Sequence, residues 1–189
     1  MCGGIGVCSC GVEHLVIGEI RTRGIGGGND DFVELYNPSA FSILLTTTTT
    51  LESRAADSGS PTVRWSGAGR SYVPPGAHVL LTGTGYLQDG VLGDGALSSS
   101  IADEASVALK DNGVVVDAVC FYCGVNPFTP DFDCEGEPVL RTGCDTSISS
   151  VERREGGLAG SCIDSDDDNA DFLIRPAADP QDLASPLTP

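Results

Sequence analysis

The chain has 189 residues and a formal net charge of −17, from 27 aspartates and glutamates against 10 lysines and arginines. A surface with this excess of carboxylates repels polyphosphate, so nucleic acid is excluded as an expected partner. The sequence contains no run of about eighteen apolar residues and therefore predicts no membrane-spanning helix. The length suits one β-domain that buries about 70% of the surface its unfolded form would expose.

The composition divides the chain into three parts. Residues 1–13 are a lead-in rich in cysteine and glycine, residues 14–175 form the expected β-domain, and residues 176–189 are a proline-rich tail or linker. We expect the fold to tolerate loss of that tail. The opening MCGGIGVCSC has neither the basic region nor the apolar core of a secretory signal. An exported form would therefore be a mature domain, or would take its signal from sequence outside this chain.

The first predicted element is a hairpin over residues 14–38, in which two alternating strands are joined by a glycine-rich turn. In its first strand Leu15, Ile17 and Glu19 are expected to share one face. The hairpin ends at Pro38, because proline removes a backbone donor. The glycine run 24–28 lacks the Lys-Ser or Lys-Thr of a phosphate loop and is interpreted as a turn.

Further strands are predicted wherever β-branched and alternating apolar residues recur. They cover residues 42–50, 51–54, 62–65, 78–82, 106–110, 114–122 and 148–154. The run Asp111-Asn112-Gly113 predicts a tight hairpin, since Asn-Gly between apolar runs is the strongest short hairpin signal. In the strand that follows, Cys120 is expected to face the core and Asp117 the opposite side. Trp65, the one tryptophan, is expected in the core or at its edge.

These elements predict an all-β fold, an antiparallel β-sandwich of two sheets, with long irregular loops at residues 83–95 and 124–147. Eight residues on apolar faces are expected in its core. They are Val16, Ile20, Val33, Leu35, Leu80, Val107, Leu109 and Val116.

Eight cysteines, an even number, are typical of an oxidising compartment outside the cytoplasm. We expect at least two disulfides among Cys123, Cys134, Cys144 and Cys162, where they would fasten the irregular loops. A zinc site at Cys120, Cys123, Cys134 and Cys144 is the alternative, but these thiols are not spaced as two close pairs. The sequence therefore favours disulfides and an extracellular or cell-surface location.

Several stretches carry a family resemblance. They are Val16–Ile20, Phe32–Pro38, Tyr72–Gly76, His78–Thr82, Ser106–Gly113, Val151–Arg154 and Asp168–Phe172. In this order they resemble a lamin tail domain of bacterial type over about four-fifths of the chain. The resemblance implies an immunoglobulin-like β-sandwich with disulfide-fastened loops. Threonines 46–50 stand where the family usually has a Gly-Trp pair. Animal members contact DNA and chromatin, a function that the charge of this chain argues against.

Few residues point to catalysis. The histidines, His14 and His78, each stand at the start of a strand, and no Gly-x-Ser-x-Gly elbow accompanies them. Glu19 and Glu34 lie on strands that we pair, and two opposed carboxylates could act as acid and base on a glycoside. A structural role, bonded to the backbone or to an arginine such as Arg153, is the favoured interpretation. We expect no enzyme.

The densest candidate site is the acidic run from residue 164 to residue 171. Its metal candidates are Asp164, Asp166, Asp168, Asn169 and Asp171, with Asn169 at a strained turn position. Oxygen ligands at alternate positions are typical of a calcium loop, although Arg175 stands where an EF-hand has its bidentate glutamate. The alternative is that Arg153 and Arg154 neutralise the run without metal.

The function expected from these features is that of a non-catalytic binding, adhesion or scaffolding module of an extracellular or cell-surface protein. Its partner would be a protein or a cell-surface polymer. The alternative is a calcium-binding accessory or catalytic domain acting on carbohydrate or phosphoester. An open groove lined by carboxylates and by aromatics such as Tyr86, Tyr122 and Phe128 would favour that alternative.

Overall fold

The computed structural model describes residues 11–67, 71–87, 90–141, 144 and 148–189, so most of the predicted lead-in lies outside it. The described strands, in chain order, are β1 Val16–Arg21, β2 Phe32–Tyr36, β3 Ile43–Leu44, β4 Thr49–Ala55, β5 Thr62–Ser66, β6 Tyr72–Val73, β7 His78–Thr82, β8 Gly95–Ala96, β9 Ala105–Asp111, β10 Val114–Tyr122, β11 Val139–Leu140, β12 Ser150–Arg153 and β13 Phe172–Arg175. Helix within these ranges is limited to a 3-10 turn, Gly157–Ala159, and to α1, Asp168–Asp171. Neither has the length and apolar character needed to cross a membrane.

The strands form two larger sheets and one small one. The six-stranded sheet has the order β13-β12-β1-β2-β7-β8, the five-stranded sheet β11-β10-β9-β4-β5, and β3 pairs with β6. Pairing is antiparallel except where β8 joins β7 and β11 joins β10. Both larger sheets contribute to one hydrophobic core, with Ile17 and Val33 from the first and Leu51, Val107 and Phe121 from the second. The prediction of an all-β fold is confirmed.

The hairpin of β1 and β2 is confirmed, and residues 24–28 form its turn. A β-bulge between Ile17 and Glu19 changes the predicted faces of β1. A bulge inserts one residue and shifts the alternation by one position. Ile17 and Ile20 therefore both reach the shared core, whereas Glu19 lies on the opposite face, in register with Glu34. The prediction that Ile17 and Glu19 share a face is wrong.

The second hairpin, β9 to β10, is also confirmed, and both Asn112 and Gly113 have positive φ, as a tight turn of this kind requires. A bulge between Val115 and Asp117 again shifts the alternation. Val119 and Phe121 belong to the core, while the carboxylate of Asp117 accepts a hydrogen bond from the Ile17 amide of β1. Cys120 is buried on the other side, against residues 133–134. Cys120 is therefore buried as predicted, but it does not belong to the core that the two larger sheets share.

Most of the predicted core is confirmed. Ile20, Val33, Leu35, Val107 and Leu109 lie in the shared core, and Val116 packs against it partly buried. Val16 and Leu80 are fully buried too, but they pair with Tyr36 and Glu34 and so lie on the other face of the six-stranded sheet. The side chains of β1 and β2 on that face are buried as well.

The predicted strand over residues 42–50 is divided. Ile43–Leu44 is β3, the next residues turn, and β4 begins only at Thr49. The turn is closed by hydrogen bonds among the threonines, where the Thr46 hydroxyl bonds that of Thr48. The hairpin of β4 and β5 is confirmed, and Trp65 packs at the edge of the core, partly buried.

The C-terminal tail, residues 176–189, lies against the outer face of the six-stranded sheet. The Tyr36 hydroxyl donates to the Pro189 carbonyl at 2.6 Å, and the Thr188 amide donates to the Gly76 carbonyl at 2.9 Å. The Gln181 amide donates to Glu34 at 2.7 Å. These contacts argue against the expectation that the fold tolerates loss of the tail.

Two disulfides fasten the irregular region that follows β10. Cys120 pairs with Cys134 and Cys123 pairs with Cys144, with Cα–Cα distances of 5.2 and 6.2 Å. Cys162 is also disulfide-bonded. All four candidate cysteines are thus in disulfides, but the Cys123–Cys144 bridge alone joins two of them. The expectation of two bridges within this set is wrong, because Cys134 takes Cys120 as its partner.

Removal of residues 181–189 should lower the free energy of unfolding by about 2–4 kcal/mol, because several hydrogen bonds of about 1 kcal/mol each are lost and Glu34 loses a backbone donor. Urea unfolding followed by tryptophan fluorescence measures this. The variant Leu187→Ala, at a side chain that is 61% exposed, should unfold like the wild type. An unchanged midpoint in the truncated chain would show that the tail contributes nothing.

Candidate functional site

A buried ion pair connects the two larger sheets. Asp117 lies on β10 and Arg153 on β12, and neither side chain has any exposed area. Arg153 donates to one carboxylate oxygen of Asp117, and the Ile17 amide donates to the other. The Nε of Arg153 also donates to the Ile17 carbonyl at 2.9 Å. Both the amide and the carbonyl of Ile17, at the β1 bulge, are therefore bonded to this ion pair.

The predicted acidic run, residues 164–171, packs around the guanidinium of Arg153. The Nη1 of Arg153 lies 3.4 Å from an Asp164 oxygen and 3.8 Å from an Asp171 oxygen. Arg153 also lies over the Phe172 ring, 4.5 Å from its centroid. Arg154 donates instead to the Phe172 carbonyl. Of the two arginines proposed to neutralise the run, the structure brings Arg153 to it.

The five predicted calcium ligands do not converge on one point. Asp171 accepts from the amide and the hydroxyl of Ser165 and lies against Arg153. Asp166 and Asn169 are exposed, and it is Asp166 that has a positive φ, of 57°. The alternating arrangement expected of a calcium loop is therefore absent from these residues.

A different group of carboxylates forms here instead. Ligand oxygens of Asp117, Glu135 and Asp164 all lie within 4.8 Å of one another. Asp168 adjoins them, since one of its oxygens accepts from the Glu135 amide at 3.3 Å and from the Cys120 amide at 2.9 Å. We call Asp117, Glu135, Asp164 and Asp168 the carboxylate cluster.

Burial raises the pKa of each of three members of this cluster. The pKa of Asp117 rises to about 6 despite the opposing effect of Arg153. The pKa of Glu135 rises to about 8 through burial and the nearby charges of Asp117, Asp164 and Asp168. The pKa of Asp168 also rises to about 8, mainly through burial. The cluster therefore holds more negative charge than the surrounding protein stabilises.

The sequence interpretation missed Asp117 and Glu135. A charged residue inside the apolar run VVVDAVCFY is the signal that could have identified Asp117. Glu135 directly follows Cys134, so the disulfide to Cys120 carries it back to β10. Sequence alone left that pairing open, and Glu135 could not be placed without it.

A second group of carboxylates, Glu34, Glu19 and Glu152, forms a row across the outer face of the six-stranded sheet. Glu19 on β1 is the register partner of both Glu34 on β2 and Glu152 on β12. The pairing expected for Glu19 and Glu34 is confirmed. His78 Nδ1 lies 2.7 Å from Glu34, and Arg175 bonds Glu152 at the other end of the row. The arginine of this row is therefore Arg175, not Arg153, and it bonds Glu152, whereas no arginine among the described residues bonds Glu19 or Glu34.

The three carboxylates of this row are buried, and each of them accepts at least one hydrogen bond. The Ser150 hydroxyl bonds Glu19, the Gln181 amide bonds Glu34, and the Gly157 amide donates to Glu152 at 2.6 Å. His78 Nε2 lies 2.9 Å from the Thr188 hydroxyl of the tail. Opposed carboxylates that are bonded in this way and lie beneath the tail cannot reach a glycoside.

Burial, and then the charge of Glu34, raise the pKa of Glu19 well above its usual value. The pKa of Glu34 is also raised by burial, although His78 opposes this. The protonated forms are thus favoured in the folded chain. Their contribution to stability is complete below about pH 4.5, the unfolded value, and is lost as the pH rises through the folded pKa values.

We therefore expect the chain to be less stable at pH 8 than at pH 5, with Glu34, Glu152, Asp179, His78 and Arg175 as the charged neighbours of Glu19. Glu19→Gln should reduce this loss, because the amide stays neutral and still bonds Ser150. Urea unfolding at both pH values measures the difference. Glu155→Gln, at an exposed position, serves as the control and should keep the wild-type pH dependence. An identical pH dependence in Glu19→Gln would contradict this account.

Comparisons with known proteins add no assignment to this geometry. No protein-family model matches the chain, and no curated protein matches it. The residues themselves are therefore the basis for a functional proposal.

Proposed function

We propose that this chain is a non-catalytic binding module of an extracellular or cell-surface protein, built as an immunoglobulin-like β-sandwich that resembles a lamin tail domain. Its partner is a protein or a cell-surface polymer. The observation that carries the proposal is a surface loop with both ends anchored by disulfides. We call residues 124–133 the display loop.

The display loop is fastened more firmly than an ordinary surface loop. Cys123 precedes it and is bonded to Cys144, and Cys134 follows it and is bonded to Cys120 on β10. Within the loop, Asp131 accepts from Arg54 of β4 at 2.9 Å. A loop held at both ends and in the middle loses little conformational entropy when it binds, and this preorganisation favours affinity.

The display loop also carries the side chains that binding surfaces use. The Phe128 ring lies edge-on between Tyr122 and Phe132, with ring centroids 6.4 and 5.1 Å apart. The Arg54 guanidinium stacks on Phe132 at 3.7 Å. Val125, in the same loop, is 87% exposed. Rigid aromatic residues next to exposed apolar area are typical of the energetic centre of an interface.

The rest of the chain supports a binding role over a catalytic one. The glutamates and His78 that the sequence offered for acid-base chemistry are bonded within the fold and covered by the tail. Tyr86 contacts Phe32, whereas Tyr122 contacts Phe128, so these aromatics do not line one groove. The disulfides support an extracellular or cell-surface location.

Val125→Glu should weaken binding to cell-surface and extracellular-matrix fractions at least about five-fold, because a residue at the centre of an interface contributes more than about 1 kcal/mol. A quantitative pull-down with the oxidised chain measures this. The matched control is Ile25→Glu, the same change at a side chain that is 81% exposed in the turn between β1 and β2. Equal loss in both variants, or loss in neither, would overturn the role of the display loop.

A further inference from the structure

We propose that the carboxylate cluster, Asp117, Glu135, Asp164 and Asp168, binds a divalent cation that prefers oxygen ligands, with calcium as its best occupant. This site differs from the calcium loop considered from the sequence. It uses two residues from outside the acidic run, one on β10 and one in the loop fastened to it.

The first observation is the arrangement of donors. Three carboxylates reach within 4.8 Å of one another from β10, from the loop after Cys134 and from the segment before α1. A cation between them would bind oxygen atoms brought from three parts of the chain. Carboxylate oxygens are the ligands of hard cations such as Ca²⁺ and Mg²⁺, whereas zinc and copper favour histidine and thiolate.

The second observation is that two carboxylate oxygens, one on Glu135 and one on the adjoining Asp168, have no hydrogen-bond partner among the described residues. Glu135 Oε2 and Asp168 Oδ1 are buried and accept no hydrogen bond from any described residue. Asp168 has no exposed area, and its other oxygen is held against the Glu135 and Cys120 amides. A buried carboxylate oxygen without a partner is unfavourable, and a bound cation would satisfy it.

The third observation is the balance of charge. The cluster and Asp171 together bring five carboxylates to a single guanidinium, that of Arg153. Arg154 is bonded to a backbone carbonyl and does not contribute. Several negative groups with one positive partner in a buried place repel one another, unless protons or a cation compensate them.

The fold holds these groups together in spite of that repulsion. The Cys120–Cys134 disulfide joins the strand that bears Asp117 to the residue before Glu135. Glu135 Oε1 accepts from the Ala118 amide at 3.1 Å, which directs its side chain back along β10. Glu135 and Asp164 are partly exposed, so the cluster lies near the surface. Carboxylates brought together irregularly from three parts of the chain suit Ca²⁺ better than Mg²⁺, which demands near-ideal octahedral geometry.

The test uses the oxidised full chain, treated with chelator and then titrated with CaCl₂ in a calorimeter and in thermal melts. We expect one Ca²⁺ per chain and a melting temperature that rises with the logarithm of calcium concentration. Glu135→Gln should weaken calcium binding at least ten-fold. The same variant should not lower the melting temperature of the chelated chain, because an amide at this position carries no charge for the neighbouring carboxylates to repel.

The matched control is Glu137→Gln, a neighbouring exposed glutamate in the same loop, which should bind calcium like the wild type. A wild-type melting temperature that is unchanged between chelator and millimolar calcium would overturn the proposal. So would calcium binding of equal strength in Glu135→Gln. In either case protons shared among the carboxylates, rather than a cation, would compensate the cluster.

Discussion

The buried pair of Asp117 and Arg153 is the interaction on which the rest of this structure depends. It bridges the two larger sheets, and its partners include both backbone groups of Ile17. Two bulges make it possible, because one shifts β1 at Ile17 and the other turns Asp117 towards it. Removing one partner of such a pair typically costs about 3–5 kcal/mol, since the other charge is left buried and alone. The pair also fixes where the acidic run lies.

The six-stranded sheet is buried on both of its faces, and this arrangement explains where its charges are. Its inner face packs in the shared core, whereas its outer face carries the row from His78 through Glu34 and Glu19 to Glu152. The C-terminal tail and the segment at Gly157 supply backbone amides to that row. Buried carboxylates are tolerated when hydrogen bonds satisfy them, and here the covering segments provide those bonds. The tail therefore acts as part of the domain.

Much of the fold could be predicted from the sequence because its determinants are local. Asn112-Gly113 fixes one hairpin through the backbone freedom of its own residues, and the glycine run fixes another. The two bulges could not be predicted, because they depend on contacts between residues far apart, such as Ile17 with Asp117 and with Arg153. For the same reason the site was only partly identified. The acidic run was visible as composition, but Glu135 is brought to it by a disulfide whose pairing the sequence left open.

The Cys120–Cys134 disulfide serves two surfaces at once, since it closes the display loop and delivers Glu135 to the carboxylate cluster. Breaking this one bond would free both the end of the display loop and the segment that bears Glu135. A single covalent link therefore couples the shape of the loop to the position of the acidic group, because neither can shift without moving the residues on each side of Cys134.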